Sequence, residues 1–148
     1  MTGVWIAVAA VAVALAFGIY RAATDGRFRG THKVAGADSP EHDDRLDVWA
    51  ALGEVAVGEP GDRGTLLQFS SAFCAPCRVT RRILEDVAAS APGVRHLDVD
   101  AEHHLELVRT LGVTRTPTTI ILDRSGREAG RAVGAPTKDQ VIAALAAL

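Results

Sequence analysis

The sequence predicts an α/β domain of about one hundred residues behind a single apolar helix. Three observations carry this. Strand-like and helix-like hydrophobic periods alternate from residue 46 to residue 148. Residues 4–20 read VWIAVAAVAVALAFGIY, seventeen residues without a charge or a proline. Two cysteines, Cys74 and Cys77, stand where a strand-like run gives way to a helical one. With 148 residues, 48% apolar and 23% charged, the chain has room for one ordinary folded domain.

The apolar run comes first. As a helix it rises about 25 Å, a little short of the roughly 30 Å hydrocarbon core. Trp5 and Tyr20 lie near its ends, where amphipathic rings favour the headgroup layer. We expect residues 1–20 to be an uncleaved transmembrane anchor. A cleaved signal peptide is the second reading, weakened by the lack of Lys or Arg before the run and by a poor cleavage site around Ala16 and Gly18. A buried core helix is the third, and it needs a polar face that the run does not have.

Residues 21–45 read as a flexible charged linker. Arg21, Arg27, Arg29 and Lys33 make its first half basic, and the second half is acidic. The positive-inside rule then favours a cytoplasmic domain, with an extracytoplasmic domain as the alternative. The basic half is also suited to anionic membrane lipid.

The domain is expected over 46–148. Leu46, Trp49 and Leu52 predict a short helix closed by Gly53. Leu66-Leu67-Gln68-Phe69 follows the turn signals Gly61 and Gly64 and predicts a strand. From Pro76, the positions Val79, Ile83, Leu84, Val87, Ala88 and Ala91 predict a helical face that Pro92-Gly93 stops. Val94, Leu97 and Val99 predict a strand, with Asp100 as the N-cap of the next helix, which carries Leu105, Val108 and Leu111. Residues 118–122 are strongly β-prone, and Ser125-Gly126 turns them back into a hairpin partner over 127–133. Residues 136–148 close with a helix carrying Val141, Ile142, Leu145 and Leu148. The order is α-β-α-β-α-β-β-α.

A net charge of −2 gives no basic field for nucleic acid. Two cysteines exclude a disulfide-stapled miniprotein and a closed four-ligand zinc site. His103 and His104 are the only paired histidines available as further ligands, and adjacent positions on a helix face different ways.

The chemistry is expected in Phe73-Cys74-Ala75-Pro76-Cys77-Arg78. A thiol at a helix N-terminus meets unsatisfied N–H groups and the positive dipole end, which favour its thiolate. Cys77 lies one turn further in, within reach of a disulfide. Pro76 suits the first turn, where its missing N–H costs nothing. Arg78, Arg81 and Arg82 add positive potential. Redox chemistry by thiol–disulfide exchange follows from this pattern, with a tethered redox-sensitive binding module as the reading without turnover.

Residues 46–148 resemble the thioredoxin family. The resemblance is carried by LLQFSSAFCAPC, VRHLDVD, TRTPTTIILDRSGR and VGAPTKDQVIAAL, which cover the whole domain in the family's order. It implies a thioredoxin-like fold, a central mixed sheet flanked by helices, here preceded by one N-terminal transmembrane helix. It also implies a cis Thr116–Pro117 bond packed against the Cys74–Cys77 pair, with Thr116 pairing to a substrate's backbone. Phe73 and Ala75-Pro76 stand where thioredoxins usually carry Trp and Gly-Pro. Gln68 replaces a buried Asp thought to move the second thiol's proton, and His96 replaces the lysine paired with it. The proton relay is therefore absent or rebuilt, through His96 or water, unless both are plain strand residues.

The implied activity is protein-disulfide reduction by a monomer, with the Cys74–Cys77 disulfide as the redox centre and no organic cofactor or metal. Its partners would be disulfide-containing proteins and an upstream electron donor, either a thioredoxin reductase or a membrane thiol carrier. An outward-facing variant would resemble the TlpA and cytochrome-c-maturation reductases.

Overall fold

The computed structural model describes residues 2–24, 26–30, 48–53, 55 and 58–148. Helix α1 spans Thr2–Thr24, and its apolar window Gly3–Tyr20 is long enough to cross a bilayer. None of that window is buried, so α1 is not a core helix. Most of the stretch read as a linker lies outside the described residues, as does Leu46.

Within that stretch the structure differs from the sequence reading. Phe28–Gly30 form strand β1, antiparallel to a later strand. Three residues are too few to show a period of two, and their pairing is made by backbone groups that the side-chain pattern does not report.

The remaining elements follow the predicted order: α2 (Val48–Leu52), β2 (Gly64–Ser70), α3 (Ala75–Ser90), β3 (Val94–Asp100), α4 (Leu105–Thr110), β4 (Thr118–Asp123), β5 (Glu128–Val133) and α5 (Lys138–Leu145). The strands form one mixed sheet in the order β1-β5-β4-β2-β3, in which only β2 and β3 run parallel. β2 is an interior strand, between β4 and β3, and all seven of its residues are buried. That is why it reads as a continuous apolar run rather than an alternation.

The two faces of the sheet pack separately. Leu67, Phe69, Leu97, Val99, Ile120 and Leu122 meet α2 and α4 through Val48, Leu52 and Leu107. Leu66, Val94 and Ile121 meet α3 and α5 through Leu84, Val87, Val141 and Leu145. Gln68 and Ser70 alternate with Leu67 and Phe69 on β2, so they lie on the α3 side. His96 and Asp98 do the same on β3, where the register sets Gln68 opposite Asp98.

Several predicted faces shift. On α3 the expected face holds for Leu84 and Val87, which are buried, and for Ile83, Ala88 and Ala91, which pack against the same core, while Val79 is exposed. In the first turns Cys77 and Thr80 are buried instead, and an apolar tally misses them because one is small and the other polar. Leu105 on α4, Ile142 on α5 and Leu148 beyond it are also largely exposed. Asp100 does not cap α4, whose N-cap is His104. Its carboxylate instead accepts from the Glu102 amide at 2.9 Å and from His103 Nδ1 at 2.8 Å, closing a tight turn. α5 begins with a full capping box between Thr137 and Gln140.

Candidate active site

The site is built at the end of β2. The buried strand delivers Ser70 to one end of the sheet, a turn follows, and α3 starts at Ala75 with Pro76 in its first turn. Cys74 is the N-cap residue, with extended backbone at φ −92° and ψ 99°. Its Sγ accepts the backbone N–H of Cys77 at 3.1 Å. A sulfur in that position receives an otherwise orphaned helix amide and the positive end of the dipole, which stabilise a thiolate once the disulfide is reduced. Cys74 and Cys77 are bonded to one another, with Cα atoms 5.2 Å apart.

The two sulfurs differ in access. Cys77 is 2% exposed, whereas Cys74 is half-buried. Phe73 beside it is 96% exposed, and Ala75 and Pro76 are also exposed, so the first sulfur is rimmed by apolar groups that none of the described residues covers.

Thr116 and Pro117 come to the same place. The Thr116–Pro117 bond is cis, and Ser71 Oγ and Thr116 Oγ1 lie 3.2 Å apart, tying the loop before Cys74 to the segment before β4. Pro117 O accepts from Gly134 N at 2.8 Å, and Thr118 Oγ1 donates to Arg115 O at 2.7 Å.

Gln68 is fully buried and donates its Nε2 proton to Cys77 O at 3.0 Å. A carboxamide cannot take a thiol proton, so Gln68 holds the helix's first turn rather than titrating. Asp98, two residues beyond His96 on the same face of β3, joins the site without being among the expected site residues. Asp98 and Cys77, with Ser70, Ser71, Arg78 and Arg81, line a cavity of 280 Å³. Arg81 pairs with Asp98 Oδ2, so its charge is answered rather than added to the helix N-terminus. Asp98 Oδ1 is buried with no partner among the described residues. The alternation of VRHLDVD was the signal available in the sequence, since it sets His96 and Asp98 on one face.

His96 is partly buried, and its Nε2 has no partner among the described residues. Burial pushes its pKa below the ordinary 6.5, against the raising effect of Asp98 and Glu85 and with a smaller lowering by Arg81. The folded state thus binds this proton more weakly than the unfolded chain. Its contribution is complete above about pH 6.5 and is lost as pH falls through that value toward the lower folded pKa. We expect the thermal midpoint to drop between about pH 7 and pH 5, and the drop to be shallower in His96→Gln. Equal slopes in the two proteins would remove His96 as the cause.

Comparison with known proteins follows from this geometry. The thioredoxin family model matches residues 55–147. Thioredoxin H2-1 of Oryza sativa is 36% identical over 76 residues, which are 51% of this chain and 54% of that protein. The thioredoxin of Chlamydia trachomatis is 35% identical over 77 residues, 52% of this chain and 74% of the relative. Among solved structures, Fasciola hepatica thioredoxin superposes with a TM-score of 0.55 at 26% identity, covering 66% of this chain and 92% of that one. The matched segment contains the sheet from β2 to β5, the cis-proline segment and both cysteines, and the chain belongs to the thioredoxin family, with a redox-active Cys-x-x-Cys pair.

Proposed function

We propose that the chain is a membrane-anchored thiol–disulfide oxidoreductase that reduces protein disulfides through Cys74 and Cys77. The observation that carries this is Cys74 Sγ at the N-cap of α3, accepting the Cys77 amide. In the reduced enzyme the Cys74 thiolate attacks one sulfur of the partner's disulfide, and the other sulfur leaves as a thiolate. Cys77 then gives up its proton and attacks Cys74 Sγ, which expels the second partner thiolate and restores the Cys74–Cys77 disulfide. Two electrons pass to the partner, and two protons complete its thiols. Asp98, which lines the same cavity as Cys77 and Asp100 and has a buried Oδ1 with no partner among the described residues, takes the Cys77 proton in this scheme, a role that Gln68 cannot fill. Thr116 offers its backbone to the partner's peptide segment.

An upstream dithiol, from a thioredoxin reductase or a membrane thiol carrier, returns the enzyme to its reduced form. The exposed apolar helix α1 supports an anchor in membrane lipid, and the basic residues from Arg21 to Lys33 favour the cytoplasmic side. The direction of reduction rests on Pro76 in the active-site loop and the absence of histidine there.

The test is insulin-disulfide reduction by the full chain in detergent micelles, with dithiothreitol as donor. Turnover well above dithiothreitol alone is expected, and no acceleration would overturn the reading. In intact cells, an impermeant maleimide on reduced Cys74 reads the side: labelling only after the membrane is opened means a cytoplasmic domain.

A further inference from the structure

Residues 26–30, within the stretch read as a linker, dock on the sheet. Thr24 is the last residue of α1, and Gly26 is already docked on the sheet, so only residue 25 lies between them. Gly26 is buried and donates its N–H to Val133 O at 2.9 Å. Its φ of +75° and its approach to Ala135 leave no room for a side chain, since a Cβ there would stand 2.2 Å from Ala135 O. β1 then continues along β5, with Phe28 opposite Ala132 and Gly30 opposite Gly130. The chain from 31 to 47 therefore joins β1 to α2, and does not separate the domain from α1.

The place of docking is what matters. Val133 is the last residue of β5, opposite Thr118, the first residue of β4. The next residue, Gly134, donates to Pro117 O at 2.8 Å, and Arg115 donates to Val133 O at 3.2 Å. Thr118 in turn lies opposite Phe69, near the end of β2 from which the Cys74 loop departs. Docking point, Thr116–Pro117 and the disulfide thus share one end of the sheet. At about 4.8 Å per strand, two spacings (about 10 Å) separate β1 from β4, and a third reaches β2. Tyr20, the end of the apolar window, is four residues and about 6 Å of helix from Thr24.

We infer that α1 holds the active-site end of the domain against the bilayer, so that its substrates are disulfides in membrane-proximal segments of anchored partners rather than disulfides of bulky soluble proteins. This rests on reading α1 as an uncleaved anchor. Charge does not distinguish the two ends: Arg27, Arg78 and Arg115 are exposed at this one beside Asp100 and Glu102, and Arg63, Arg124 and Arg127 are exposed at the other, so the placement rests on the docking of Gly26 and β1. The β4–β5 turn at Ser125 is at the far end, a strand length of about 20 Å away.

The experiment compares heights above the membrane. The full chain is reconstituted in liposomes carrying an acceptor dye on lipid headgroups. A donor dye is placed on Cys74 in Cys77→Ser, or at residue 125 in Ser125→Cys with both native cysteines changed to serine. Energy transfer from Cys74 is expected to be at least twice that from residue 125. A twenty-residue Gly/Ser insertion after Thr24 is expected to abolish the difference. Equal or reversed transfer, in protein that still floats with the liposomes, would overturn the orientation while leaving the anchor intact. Protein that does not float overturns the anchor reading, and this inference with it. A second arm uses the active chain and one disulfide peptide, either attached to a lipid headgroup or free in solution. The ratio of the two rates should fall severalfold on insertion. An unchanged ratio would overturn the substrate class even if the heights agree.

Discussion

Cys74→Ser is expected to lower insulin reduction by about a thousandfold or more, to the rate of dithiothreitol alone, because it removes the only sulfur that a partner's disulfide can approach. A serine hydroxyl at the same N-cap still accepts the Cys77 amide, so the fold should be kept and, compared with the reduced parent that likewise lacks the disulfide, the thermal midpoint should move little. Cys77→Ser separates the two half-reactions. It leaves the attacking thiolate in place and removes the group that resolves the mixed disulfide, so the variant should accumulate a covalent adduct with its partner that dithiothreitol releases. The asymmetry follows from access, since Cys77 is 2% exposed and its carbonyl is held by Gln68. Adduct formation through Cys77 in the Cys74→Ser variant would reverse the assignment. Residual turnover in Cys74→Ser within tenfold of the parent would remove Cys74 as the nucleophile.

What the sequence disclosed, and what it hid, divides along a physical line. Features written in side-chain chemistry were legible. The run at β2 showed as unbroken hydrophobicity because both faces of that strand are covered, and the cysteines showed because their spacing has a use at a helix start. The place of Thr116 and Pro117 was legible only through the family resemblance, since nothing in the periodicity joins residue 116 to residue 71. Features made by backbone were hidden. β1 is held by main-chain hydrogen bonds and by a glycine that has no side chain to report its contact with Ala135. The α3 face read from the period holds from Ile83 to Ala91, and only its first turn was hidden: Cys77 and Thr80 are buried there by position, next to β2, although neither counts as a strong apolar signal. Asp98 was overlooked because a carboxylate on a half-covered strand looks like surface until the cavity beside Cys77 is seen.

Phe69→Ala is expected to have the largest effect on stability. Phe69 is fully buried, and it packs in the layer formed with α2 and α4 rather than against α3. Truncating a buried Phe costs about 3–5 kcal/mol, from lost transfer energy and the cavity left behind. Against a stability of about 5–15 kcal/mol for a domain of this size, that is a large fraction. At about 4–8 °C per kcal/mol the thermal midpoint should fall by about 12–40 °C, read by circular dichroism of the full chain in micelles. The side on which Phe69 points makes a second, independent expectation. Its neighbours Gln68 and Ser70 face α3 and the cysteines, so the active-site loop is supported from the opposite layer. Well below its new midpoint, the variant should therefore keep insulin reduction within about threefold of the parent, since only residues that touch the reacting sulfurs carry the large kinetic effects. A stability loss below about 1 kcal/mol would mean that the α2–α4 layer collapses onto the space at little cost. A full midpoint loss together with lost turnover in the still-folded protein would mean that the two layers are coupled, and that the geometry of Cys74 is set through the whole thickness of the sheet rather than by the end of β2 and the first turn of α3.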